Sequence, residues 1–236
     1  MKRTHKIRRT IAAIIVLIVS VVTIAYHPDL QQPAISPPET PKNSPPVSPT
    51  GDAAKLLEAI PVKGRAAKTG YARTQFGDGW ATQKGCDTRN IILHRDLMDT
   101  TIDDACRVIS GTLNDPYTGK AIMFTRGETT SQAVQIDHVI ALSNAWQTGA
   151  QGLTAEQRVQ LANDPLELLA VDGEANQQKS DGDAATWLPP NKAFRCQYVA
   201  RQIAVKAKYQ LWVTIAEKDA MVRVLAVCPG QTLPTA

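Results

Sequence analysis

An acid and an imidazole stand side by side at Asp137-His138, inside the largely apolar run Val134-Gln135-Ile136-Asp137-His138-Val139-Ile140-Ala141-Leu142. A carboxylate offers a hard oxygen ligand for a cation, and an imidazole titrates near neutral pH. Together they could form a hydrolytic centre in which one group holds a metal ion and its neighbour deprotonates water. Downstream, Asn176-Gln177-Gln178-Lys179 places an amide and an ammonium three residues apart, on one face of a helix. Alone, an Asp-His dipeptide is more often a salt-linked surface pair, and Asn176 with Lys179 an exposed polar face. The elements that position these residues must decide.

The β-branched run at 134–139 reads as a strand, and residues 166–171 as a second one. Asp172-Gly173 is a turn signal, and residues 174–180 form a short polar helix. A strand at 121–124 is expected to pair with 134–139 across Arg126-Gly127-Glu128. Helices are expected at 52–60, from 91, and at 142–148, the last stopping at Gly149. Capping boxes at Thr154…Gln157 and Thr214…Glu217 open two more, and residues 192–209 form another amphipathic helix. Residues 74–90 are a Gly-rich polar loop, and Asn114-Asp115-Pro116-Tyr117-Thr118-Gly119 is a turn cluster. His94-Arg95-Asp96-Leu97 matches a kinase catalytic-loop tetrapeptide, but no Gly-rich phosphate loop or Asp-Phe-Gly accompanies it, so it is a chance match. A Gly-x-Ser-x-Gly elbow is absent, which argues against a serine hydrolase. Trp80, Trp146, Trp187 and Trp212 read as packing residues rather than base-stacking platforms.

The order strand with Asp-His, strand, turn, short helix with Asn176 and Lys179 resembles the HNH (ββα-metal, His-Me finger) endonucleases. More closely, it resembles exported bacterial HNH-family domains related to the nuclease part of modification-dependent restriction enzymes. The segments that carry this likeness are Gln135 to Leu142, Ala162-Asn163-Asp164-Pro165-Leu166, Leu169-Ala170-Val171-Asp172-Gly173, Ala175-Asn176…Lys179-Ser180-Asp181 and Trp187-Leu188-Pro189-Pro190. Gly85-Cys86-Asp87-Thr88-Arg89-Asn90 and Asp115 to Gly119 add to it, so the likeness spans residues 71–229. It implies an α+β fold, with a ββα-metal finger embedded in a mostly helical, disulfide-stapled single domain. By position it implies His138 as general base and Asp137 with Asn176 as ligands of one divalent cation, Mg2+ first and Mn2+ second. Lys179 would set an ammonium beside the phosphate. The implied reaction is hydrolysis of DNA, with RNA the other substrate, leaving a 5′-phosphate and a 3′-hydroxyl. A hard cation suits it because negative charge gathers on the phosphoryl and departing oxygens. One departure stands out: the finger usually braces the loop of its base with an asparagine at the start of the second strand. Glu167 holds that position here, with Asn163 as the nearby substitute; a carboxylate there could alternatively add a metal ligand.

Residues 1–27 carry Lys2, Arg3, Lys6, Arg8 and Arg9 ahead of an uncharged apolar core at 11–26, which reads as a signal peptide or an uncleaved signal anchor. In either case the rest of the chain is extracellular, secreted or held on the outer face of the membrane through residues 11–26. Residues 28–50 are a Pro-rich linker, and residues 51–236 are long enough for one core. The whole chain carries +4, but residues 1–27 contribute +5 and 28–50 contribute −1, so the domain is neutral. A basic surface must then be local. From 184 to 216 there are Lys192, Arg195, Arg201, Lys206 and Lys208 and no acid. Lys192 and Arg195, with Arg201, are candidate phosphate contacts that would not read sequence, so low sequence specificity is expected. The alternative is a non-catalytic surface module binding nucleic acid or wall polymer; no protein partner is inferred.

Cys86, Cys106, Cys196 and Cys228 all lie in the exported part and lack Cys-x-x-Cys spacing, which favours two disulfides over zinc or a thiol nucleophile. Three pairings are open; closeness in sequence favours Cys86–Cys106 and Cys196–Cys228. Each would contribute roughly 3 kcal/mol in the chain-entropy picture.

Overall fold

The computed structural model describes residues 48–234. The expected export segment at 1–27 and nearly all of the linker lie outside them. No helix among the described residues is long and apolar enough to cross a membrane.

The architecture is mixed helix and sheet, stapled by the two expected disulfides, Cys86–Cys106 and Cys196–Cys228. Helix α1 (Asp52–Ala59) buries Ala53, Ala54 and Leu57, and Ile60 follows them into the core. A two-residue hairpin, β1 (Thr82–Gln83) with β2 (Cys86–Asp87), leads into α2 (Thr88–Asp96). Asp87 starts that helix by accepting the Asn90 N–H at 2.7 Å. An antiparallel sheet follows, β3 (Leu97–Ile102), β4 (Val108–Asn114) and β5 (Ala121–Thr125), in that spatial order.

This sheet corrects the expected hairpin. Strand β5 pairs with β4, Gly111 opposite Phe124, and not with residues 134–139. Strand β3 escapes a period-two reading because its register shifts between Met98 and Thr101, where Asp99 takes φ 51°. Such a bulge breaks the alternation that marks a strand.

Next, β6 (Val134–His138) pairs antiparallel with β7 (Leu168–Asp172), with Asp137 opposite Leu169 and His138 opposite Leu168. Between them lie α3 (Leu142–Gln147) and α4 (Ala155–Ala162), the latter opened by the Thr154–Gln157 capping box. Helix α5 (Gly173–Lys179) follows β7 directly, its Asp172 N-cap accepting the Ala175 N–H at 2.7 Å. A 3₁₀ turn at Lys192–Phe194 runs into α6 (Arg195–Lys208), and α7 (Ile215–Leu225) begins at the Thr214–Glu217 capping box.

The β6–β7 ribbon separates two apolar clusters. Val134, Ile136, Leu168 and Ala170 pack with Ile92, Leu93, Leu113 and Phe124 on the three-stranded side. Leu169 and Val171 face the larger helical cluster, with Tyr198, Val199 and Ile203 of α6. Strand alternation makes this division, because successive side chains leave opposite faces. The same alternation sends Asp137 and His138 in different directions.

Candidate active site

His138 is the last residue of β6 and is 6% exposed. Its Nε2 lies 3.0 Å from the carbonyl oxygen of Ala162, at the end of α4. A carbonyl only accepts, so that contact assigns the proton to Nε2 and leaves Nδ1 with the lone pair. The Trp80 indole lies parallel to the ring, 5.6 Å between centroids and 5° between planes. Burial holds the imidazole neutral and moves its pKa down to about 3; the Ala162 carbonyl works the other way, and the Arg73 and Lys179 charges add to the depression.

Asp137 turns into the helical side. Its Oδ1 accepts from Lys179 Nζ at 2.9 Å, and its Oδ2 accepts from the Tyr117 hydroxyl. Lys179 also donates to the His138 carbonyl at 2.9 Å. Burial pushes the Asp137 carboxyl up, against the pull of Lys179 and Tyr117. Burial also raises the Tyr117 hydroxyl well above its ordinary value, so it stays a donor to Asp137.

Asn176, in the middle of α5, is half-buried and donates from Nδ2 to Gln135 Oε1 at 2.9 Å. That bond ties the amide to β6 two residues before Asp137. Its Oδ1 accepts from no described residue. Asp137, His138 and Asn176 line one cleft of about 510 Å³, with Gln135, Ser143 and Asp181. A second lobe of about 270 Å³ lies against Gly77, Gly79 and Trp80 and shares Arg73, His138 and Leu142 with the first.

The donor set fits one hard cation with few protein ligands. After its two hydrogen bonds, each Asp137 oxygen keeps a lone pair, and Asn176 Oδ1 is free. No group of three or more His, Cys, Asp or Glu suited to a metal occurs among the described residues. Two protein oxygens with water and phosphate completing the sphere is an arrangement that magnesium takes.

The braces are placed as follows. Both Glu167 carboxylate oxygens lie 3.2 Å from the Ile140 N–H, and the Val139 N–H donates to the Glu167 carbonyl at 2.9 Å. Glu167 therefore holds the loop that leaves His138. It is fully buried and outside the walls of the cleft, away from a ligand position, and burial lifts its carboxyl well above the usual range. Asn163 braces something else: its Oδ1 accepts the Ala81 N–H at 2.8 Å, next to Trp80.

The expected phosphate contacts are placed away from the cleft. The Lys179 side chain is fully buried on Asp137, so its ammonium points inward. Lys192 and Arg195 line a different depression with Arg223 and Val227, and Arg195 donates to the Pro189 carbonyl at 2.7 Å. Arg201 is held by the Leu166 carbonyl at 2.8 Å. Three residues of the site carry no role in the sequence reading, Tyr117, Arg73 and Asp181, and Trp80 is read there only as a packing residue. Tyr117 and Asp181 fall inside segments that carry the family likeness, and Trp80 lies within the Gly-rich loop; Arg73 leaves no sequence signal.

By family comparison this disulfide-stapled domain, with an imidazole, a carboxylate and an amide lining one cleft, falls in the nuclease-related class. The chain is a member of the family of GmrSD restriction endonucleases, C-terminal domain, which matches residues 87–224. It is also similar to an "Uncharacterized secreted protein" of Arthroderma benhamiae, 36% identical over 214 residues, covering 89% of this chain and 97% of that one. No solved structure matches.

Proposed function

We propose that this chain is a metal-dependent endonuclease of the HNH type, hydrolysing phosphodiester bonds of DNA, and of RNA as the second substrate, with low sequence specificity. The observation that carries the reading is the commitment of His138 Nε2 to the Ala162 carbonyl, which leaves Nδ1 as the basic nitrogen of a residue that lines one cleft with Asp137 and Asn176.

In this reading His138 takes the proton of the attacking water at Nδ1, and the Ala162 carbonyl stabilises the imidazolium through the Nε2–H. The lowered basicity keeps Nδ1 unprotonated at neutral pH, and the negative charge of a bound phosphate would raise it toward its task. Asp137 and Asn176 would hold one divalent cation, Mg2+ in the first place and Mn2+ next. When bound, that cation supplies charge stabilisation at the phosphoryl and leaving oxygens. Lys179 and Tyr117 fix the rotamer of Asp137 from the buried side. Trp80 and Glu167 hold the ring and the loop behind it.

An extracellular site of action is supported by the name of the secreted relative and by the two disulfides. Anchoring through residues 11–26 concerns residues outside those described. The rival reading is a binding module without turnover; an unbraced base loop at the Glu167 departure would favour it, but the Glu167 side chain bonds the Ile140 N–H of that loop.

Plasmid nicking by residues 51–236 with Mg2+ tests the proposal. Cleavage that stops with chelator and falls at least a hundredfold in His138→Ala is expected. Undiminished cleavage by His138→Ala would overturn the base assignment, and binding without cleavage would favour the module.

A further inference from the structure

We infer that Arg73 is the residue that grips the substrate phosphate, seated where the two lobes of the cleft meet. This rests on the nucleic-acid reading above but not on the role given to His138.

Arg73 opens the 3₁₀ turn Arg73–Phe76 and is exposed, yet it lines both lobes, as His138 does. A diester laid across this junction would set its phosphate between the two side chains. The turn is firmly held. Phe76 is buried at 2% exposure, and the Gln75 carbonyl accepts from Arg158 Nε of α4 at 2.8 Å. Tyr71, Phe76 and Trp146 pack edge to face around it.

The guanidinium is also free. Arg65 is bound to Asp183, Arg107 to Asp103, and Arg95, Arg126, Arg158, Arg195 and Arg201 are committed to carbonyl oxygens. Arg89 donates to the Val134 carbonyl, so among the described arginines only Arg73 and Arg223 make no side-chain hydrogen bond or ion pair. Arg223 lines the separate depression with Lys192. An unspent planar fork where the two lobes meet is suited to bidentate contact with phosphate. Its charge already reaches His138, where it helps keep the imidazole neutral. Lys68, the other cation of the larger lobe, is shared with Asp181 at 3.4 Å.

The test measures binding apart from turnover. In a His138→Ala background with chelator, the full chain is titrated with a fluorescent DNA duplex and a single strand at several salt concentrations. Adding Arg73→Gln is expected to weaken binding about tenfold or more and to lower the salt slope by about 0.9 on duplex or 0.7 on single strand. Arg73→Lys should keep the slope and recover part of the affinity. Arg223→Gln is the control and should leave both unchanged. Equal loss in Arg73→Gln and Arg223→Gln, or no loss in Arg73→Gln with an unchanged melting curve, overturns the inference. So does a His138→Ala protein that binds neither strand form. A loss confined to Arg73→Gln supports it even if the same His138→Ala protein still cleaves with Mg2+, in which case only the base assignment fails.

Discussion

Lys179 and Asp137 form a buried ion pair, 2.9 Å from Nζ to Oδ1, with the lysine side chain fully buried and the aspartate 6% exposed. The ammonium meets the carboxylate from behind and also holds the His138 carbonyl. It therefore couples the end of β6 to α5, which carries Asn176. A pair like this gives little net stability over an apolar substitute, yet breaking it leaves one charge stranded. Lys179→Met should lower unfolding free energy by roughly 3 kcal/mol, measured by urea denaturation, and should reduce nicking with it. A loss under about 0.5 kcal/mol would mean that Lys179 turns out to solvent, where it could serve the phosphate instead.

Tyr117 supplies the other hydrogen bond to Asp137, and its ring packs against Trp187 and Tyr198 at 5.0 and 5.6 Å. Tyr117→Phe keeps that packing and deletes only the donor. The expected cost is about 1–3 kcal/mol, since a buried carboxylate loses a partner. Because Asp137 would then be freer to rotate, cleavage should need more Mg2+ to reach half its maximal rate. An unchanged Mg2+ dependence would separate Tyr117 from the site.

Glu167 gives a pH signature. Burial raises its native carboxyl well above the ordinary value of 4.5, so the folded state holds a proton that the unfolded chain releases near that value. The stability tied to Glu167 is thus complete below the unfolded value and declines as pH rises toward the native one. Glu167→Gln keeps an acceptor for the Ile140 N–H and has no proton to lose. Relative to the native chain, it should gain stability steadily from pH 5 to 8 in chemical denaturation while nicking continues. A variant that loses stability evenly at all pH values would point to an ionised Glu167 with an essential charge.

Much of this arrangement could be read from the chain before any coordinates. The run 134–138, the strand after Asp164-Pro165, and the polar stretch around Asn176 each carry a strong local signal, a period of two or a capping residue. The disulfides follow from closeness in sequence. What was hidden is tertiary. A bulge at Asp99 masks β3, and with it the partner of β5. Lys179 looks like an exposed helix residue, because no local rule says which face of α5 meets Asp137. Arg73 sits in a stretch without periodicity, and it is the turn anchored by buried Phe76 that sets it in a wall shared with His138.

The hinge between β7 and α5 offers a last prediction. Gly173 begins α5, and a Cβ there would overlap the carbonyl oxygen of Gln132 and press on Gln135 Nε2 at 3.2 Å. The obstacle is backbone, so a small side chain cannot be accommodated by a rotamer change. Either the 3₁₀ turn at Thr130–Ala133 moves or α5 does. Gln135 is the residue that holds the Asn176 amide, and a moving α5 carries both Asn176 and Lys179. Gly173→Ala should therefore cost stability, roughly 1–3 kcal/mol as overpacked sites do, while cutting nicking by more than the folded fraction explains. Titrating Mg2+ in the nicking assay on protein shown to be folded by circular dichroism checks it. If the cleft is placed by this contact, the folded variant needs more Mg2+ than the native chain. If it cleaves with native Mg2+ dependence, Asn176 either does not move with the helix or does not touch the cation.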